Sequence, residues 1–107
     1  MAARIMVNAP ASAAKGEVIE IKTMIAHKME TGHRMGTMGQ IIPRDIIHRF
    51  ECRYDGALVF AADLFPAVSA NPFITFTTVA TKSGKISFKW IDDKGKSSTS
   101  SVKIKVT

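Results

Sequence analysis

The side chains best equipped for chemistry crowd one stretch. His27, Met29, His33 and Met35 lie within nine positions of a 107-residue chain. Imidazole and thioether are ligands that suit copper. A stand-alone copper-binding protein using this stretch is therefore one reading. A blue-copper centre would also need a cysteine with a histidine shortly after it. Cys52 is the one cysteine, and no histidine follows it. That version is excluded. The simpler expectation is that the methionines pack the loop against the body of the protein, because a thioether chain fills irregular gaps.

Other constellations offer less. His48 and Cys52 are four apart, so on a strand they share a face about 13 Å apart. That is too far for a nucleophile and its base. A free cysteine on a buried face is commonly inert. Asp92 and Asp93 are adjacent, so their side chains diverge if extended. Lys94 and Gly95 then mark a turn. Gly32, Gly36 and Gly39 precede neither a helix nor a lysine-threonine pair, so they form no phosphate loop. The expectation is a protein without catalytic residues, cofactor or metal, hence not an enzyme.

The elements that must position these residues alternate with period two, the mark of strands with one buried face. Residues 4–7 form a short apolar strand and residues 8–16 a loop. In residues 17–25, Ile19, Ile21 and Ile25 share one face, with Glu20 and Lys22 opposite. In residues 46–54, Ile46, His48, Phe50, Cys52 and Tyr54 share a face, opposite Arg49, Glu51 and Arg53. Asp55-Gly56 is a strong hairpin signal, and residues 57–62 return. Residues 63–72 are an irregular crossing broken by Pro66 and Pro72. Strands follow over residues 73–81, 85–91 and 98–106.

About seven short strands with regular turns predict an all-β fold, an immunoglobulin-like β-sandwich, with a small closed barrel as the alternative. It lacks an inter-sheet disulfide. Residues 27–43 are the exception, too long for an ordinary connection, and loops of that length are usually functional.

Size and composition agree. A chain of 107 residues is expected to be one domain spanning residues 1–107. Its 46% hydrophobic and 22% charged residues suit a globular domain and exclude a disordered one. The longest apolar run, residues 57–62, is far short of a membrane helix. The net charge of +6 suits an acidic partner. The basic residues are scattered, without the clustering of a nucleic-acid binder. No membrane or nucleic-acid partner is expected. The start of the chain lacks the apolar stretch of a secretory leader.

Several blocks together carry a resemblance. They are Val18-Ile19-Glu20-Ile21-Lys22, then Ile25-Ala26-His27-Lys28-Met29-Glu30-Thr31-Gly32, Ile42-Pro43, Ile46-Ile47 and Phe50-Glu51-Cys52. Val59-Phe60, Ala62-Asp63 and Ala70-Asn71-Pro72-Phe73 complete the set. The pattern resembles the SoxZ family of the sulfur-oxidation, or thiosulfate-oxidising, carrier complex. One departure is Lys28, where members often have proline.

The resemblance implies an immunoglobulin-like sandwich without catalytic residues. It implies a heterodimer with a SoxY-like subunit, whose tail cysteine carries sulfur intermediates. Other periplasmic sulfur-oxidation enzymes would meet the chain through that complex. This sequence shows no Gly-Gly-Cys ending, so it is expected not to be the arm-bearing subunit. Export to the periplasm with a signal-bearing partner is also implied. The partner-binding residues expected on this basis are His27, Met29, Glu30, Thr31, Gly32, Asn71, Pro72 and Phe73. The plainer reading of Asn71-Pro72-Phe73 is a turn into a strand, with Phe73 in the core.

Overall fold

A computed structural model describes residues 4–107. Met1, Ala2 and Ala3, part of the segment read for a leader, lie outside the described residues. Among the described residues, eight strands run in chain order: β1 (Ile5–Asn8), β2 (Ser12–Ala13), β3 (Val18–Ile25), β4 (Ile47–Tyr54), β5 (Ala57–Asp63), β6 (Phe73–Val79), β7 (Gly84–Asp92) and β8 (Ser97–Val106). They form a three-stranded sheet, β1-β3-β6, and a five-stranded sheet, β2-β8-β7-β4-β5. The immunoglobulin-like sandwich is what the alternation implied. The extra strand is β2, two residues paired in parallel with β8 inside the segment expected to be a loop.

The alternating positions point where their period requires. Ile19, Ile21, Thr23 and Ile25 of β3 are all buried, and Val18, Glu20 and Lys22 are exposed. On β4 and β7 the inward residues are Phe50, Cys52, Tyr54, Ile86, Phe88 and Trp90. Each buried aromatic contributes about 1.5–3 kcal/mol over an exposed one. Phe50 sits at their centre, with ring centroids 5.2 Å from Trp90, 5.9 Å from Phe76, 6.1 Å from Phe60 and 6.3 Å from Phe88. Phe60 of β5 stacks on Phe76 of β6 at 4.4 Å, which ties the two sheets face to face.

The Asp55-Gly56 signal holds. Tyr54 pairs with Ala57, so the loop has two residues. Asp55 and Gly56 have φ of 50° and 87°. Both being positive matches the twist of the flanking strands. One sequence expectation fails on β4. Ile47 pairs with Asp92 but Arg49 with Ile91, so a bulge falls at His48. A bulge re-aims a side chain. His48 is therefore not on the core face with Cys52; its side chain is 42% exposed and turns toward Asp93.

The loop after β6 is closed by one side chain. The Tyr54 hydroxyl donates to the Lys82 carbonyl and accepts from the Thr81 and Lys82 N–H groups, both at 3.3 Å. Phenylalanine keeps the ring but leaves these groups unpaired. Tyr54→Phe is expected to cost about 1–3 kcal/mol. Urea denaturation should show a lower midpoint with an unchanged slope.

Candidate functional site

The two blocks singled out in the sequence meet in space. The His27 N–H donates to Asn71 Oδ1 at 3.0 Å, across 44 residues of chain. The Asn71 N–H donates back to the His27 carbonyl at 2.8 Å. Asn71 has φ of 54°, a conformation asparagine tolerates better than most residues. Pro72 is buried, and its carbonyl accepts the Ile25 N–H at 3.4 Å.

Phe73 is not in the core. It is 62% exposed, which overturns the turn-into-core reading. The reason is register. Phe73 pairs with Met24, and Met24 pairs with Met6. On all three strands these positions face away from the sandwich interior. The result is an apolar row across the outer face of the three-stranded sheet. It borders a depression of about 190 Å³ with Lys22 at its edge.

Residues 27–32 are held by local bonds. The Met29 N–H donates to His27 Nδ1 at 2.9 Å, so the neutral ring carries its proton on Nε2. The Met29 sulfur is buried and accepts the Ile47 N–H at 3.3 Å. Glu30 and Asp45 exchange backbone hydrogen bonds at 2.9 and 2.8 Å. Arg34 donates to Glu30 at 2.6 Å, and this hydrogen bond holds the Glu30 carboxyl below its ordinary range. The Thr31 hydroxyl accepts the His33 N–H at 3.1 Å. Gly32 has φ of 86°, and a Cβ there would stand 3.0 Å from the Arg44 Cβ. Only glycine fits that close approach.

Behind the loop lies a cavity of about 340 Å³, lined by His27, Lys28, Asp45, Trp90, Asp92 and Lys94 among others. Asp45 is 7% exposed. Its Oδ2 lies 3.8 Å from Lys28 Nζ and 3.4 Å from Lys94 Nζ. Its Oδ1 is buried without a hydrogen-bond partner, 3.9 Å from His27 Nε2. Asp92 Oδ1 accepts the Lys94 and Lys96 N–H groups at 3.0 and 2.9 Å.

Asp93 turns the other way, as adjacent positions on a strand must. Arg44 grips it at 2.7 and 2.9 Å, and the Ile46 N–H donates to it at 3.2 Å. His48 Nδ1 is 3.2 Å away. Burial alone would raise the Asp93 carboxyl, but the Arg44, Ile46 and His48 interactions outweigh it and hold it below the ordinary value.

The structure thus brings His27, Met29, Glu30, Thr31, Gly32, Asn71 and Pro72 into one assembly, with Phe73 on the adjoining sheet face. It does not assemble the copper set. The Met29 thioether is committed to the core, while His33 and Met35 are exposed. Of the methionines expected to pack inward, Met29 does so; Met35 and Met38 are 63% and 89% exposed. Cys52 is fully buried, and burial pushes its thiol up to about 12. Asp45, Arg44 and Lys94 were missed. The one sequence signal for Asp45 was an acidic residue just before a buried strand.

Family comparison decides the affiliation. The model of the sulphur oxidation protein SoxZ matches residues 6–103. The chain belongs to the SoxZ family. No curated protein matches the sequence. Among solved structures, this SoxZ-family chain is similar to a superoxide reductase (neelaredoxin) from Ignicoccus hospitalis. The TM-score is 0.73 at 16% identity, over 98% of this chain and 82% of that one. It is also similar to the sulfur carrier protein SoxY from Chlorobium limicola f thiosulfatophilum. There the TM-score is 0.66 at 15% identity, over 96% and 78%. At such identities the likeness speaks to the fold alone.

Two variants probe the site. Asn71→Ala removes the acceptor for the His27 N–H and strains the backbone. It is expected to cost about 1 kcal/mol, with faster exchange of the His27 amide measured by NMR. Asp93→Asn is expected to cost about 1–3 kcal/mol at pH 7. Because the folded carboxyl titrates below the unfolded one, its contribution is complete above about pH 4. It is lost as pH falls through the folded value. Urea melts of the two proteins should therefore converge as pH drops below about 4.

Proposed function

We propose that the chain is the non-catalytic subunit of a sulfur-oxidising carrier complex. It forms a heterodimer with a SoxY-like subunit, whose tail cysteine carries sulfur intermediates during thiosulfate oxidation. The observation that carries this reading is the SoxZ family match over residues 6–103. The buried state of Cys52 supports it, because a fully buried thiol is inert as a carrier. We place the complex in the periplasm, reached by export with a signal-bearing partner. Other enzymes of the pathway meet this subunit through the heterodimer.

The partner-binding surface proposed combines residues 27–32 with Asn71, Pro72 and Phe73. An exposed phenylalanine beside Met6 and Met24 supports this assignment, since aromatic anchors dominate the energetics of most interfaces. The exposed lysines 85, 89, 103 and 105 lie on the outer face of the five-stranded sheet. Their charge would steer acidic pathway enzymes toward the assembled carrier.

Co-expression with a SoxY-like subunit and native mass spectrometry test the pairing. A one-to-one heterodimer is expected. Recovery of this chain alone at micromolar concentration would sink the reading. Phe73→Asp is expected to weaken pairing by about tenfold or more, the effect of about 2 kcal/mol at an anchor. Its thermal stability should stay near that of the parent protein, because Phe73 is exposed.

A further inference from the structure

The cavity behind residues 27–32 holds two buried polar atoms that the fold leaves without partners. Asp45 Oδ1 is an acceptor and Trp90 Nε1 is a donor. Both residues line the same space. Buried polar groups in native proteins are nearly always hydrogen-bonded, so each exception calls for an explanation. A ligand that explains both offers a positive centre or an O–H group to the carboxylate and an oxygen to the indole N–H. A hydrated metal ion does this.

The surrounding side chains name the class of ion. His27, Asp45 and Asp92 each present one ligand atom, all within 4.8 Å of one another. A small side-chain movement brings the three to the roughly 2.0–2.2 Å of zinc–nitrogen and zinc–oxygen bonds. One imidazole with two carboxylates suits first-row divalent ions better than magnesium or calcium, which favour oxygen alone. We propose that His27, Asp45 and Asp92 form a binding site for a divalent first-row cation such as Zn²⁺, completed by water in the cavity. This goes beyond the carrier role and stands independently of it.

Two local features shape the site. Lys94 and Lys28 lie 3.4 and 3.8 Å from Asp45 Oδ2 and are well exposed. They compete with the ion for the carboxylate and must swing away into solvent. His27 carries the second feature. Its Nδ1 accepts the Met29 N–H, which leaves the proton on Nε2, the atom facing Asp45. Metal capture at Nε2 moves that proton to Nδ1 and releases the Met29 N–H. Ion binding is therefore reported by the Met29 amide, at the start of the proposed partner surface.

The test uses the untagged full chain, titrated with Zn²⁺ by calorimetry and by two-dimensional NMR. One ion per chain is expected, with the Met29 amide resonance shifting in step. Asp45→Asn should weaken binding about tenfold or more. Lys94→Gln removes a competing ammonium and should tighten it several-fold. This exposed substitution leaves the fold intact, so it decides the matter if Asp45→Asn does not fold. No saturable binding up to about 1 mM would overturn the site. So would an affinity unchanged by both substitutions, the result expected of adventitious capture by His33 or His48.

Discussion

The sandwich depends on Phe50. With no disulfide between its sheets, something else must hold them together. Phe50 touches both layers: Phe88 and Trp90 beside it in the five-stranded sheet, and Phe76 across the interior. The Phe60–Phe76 stack is the second tie. Aromatic pairs add about 0.5–1.5 kcal/mol each beyond the area they bury. This cluster fixes the spacing of the layers. Within the three-stranded sheet that it holds in place, the register of β3 on β6, with Met24 opposite Phe73, brings His27 to Asn71.

Much of this was legible in the sequence because the information was local. Alternation over β3 and β4 is a property of neighbouring residues, and it assigned the buried faces of Ile19, Ile21, Ile25, Phe50 and Cys52. The Asp55-Gly56 pair announced its own turn. What escaped depends on pairings between distant segments. β2 exists because Ser12 and Ala13 lie beside Lys105 and Val106. The bulge that turns His48 out is visible only against β7. Phe73 reads as a core residue until its register with Met24 places it outside. The site blocks were legible as blocks. That Asn71 holds His27, or that Asp45 stands behind both, required the folded chain.

The fold itself carries little functional information. A superoxide reductase and a sulfur carrier share it with this chain at 16% and 15% identity. One sandwich hosts different chemistries by changing its loops. Here the distinctive parts lie in the long connection between β3 and β4 and in the crossing before β6. They meet at one end of the molecule, and a rigid core supports them.

The pairing of β3 with β6 has a consequence for how the chain becomes ordered. β4 joins β5, and β7 joins β8, through short turns. β3 must instead find a strand far along the chain, Val18 opposite Val79. Closing a loop of that length carries an entropic cost well above that of a hairpin. Non-local pairing of this kind forms late and slows folding. The hairpins β4–β5 and β7–β8 can form from neighbours, while the β3–β6, β4–β7 and β2–β8 pairs wait for distant segments to meet. The His27–Asn71 joint belongs with these long-range pairings. The end of the molecule that carries residues 27–32 and Asn71 thus depends on contacts that form late rather than on local turns.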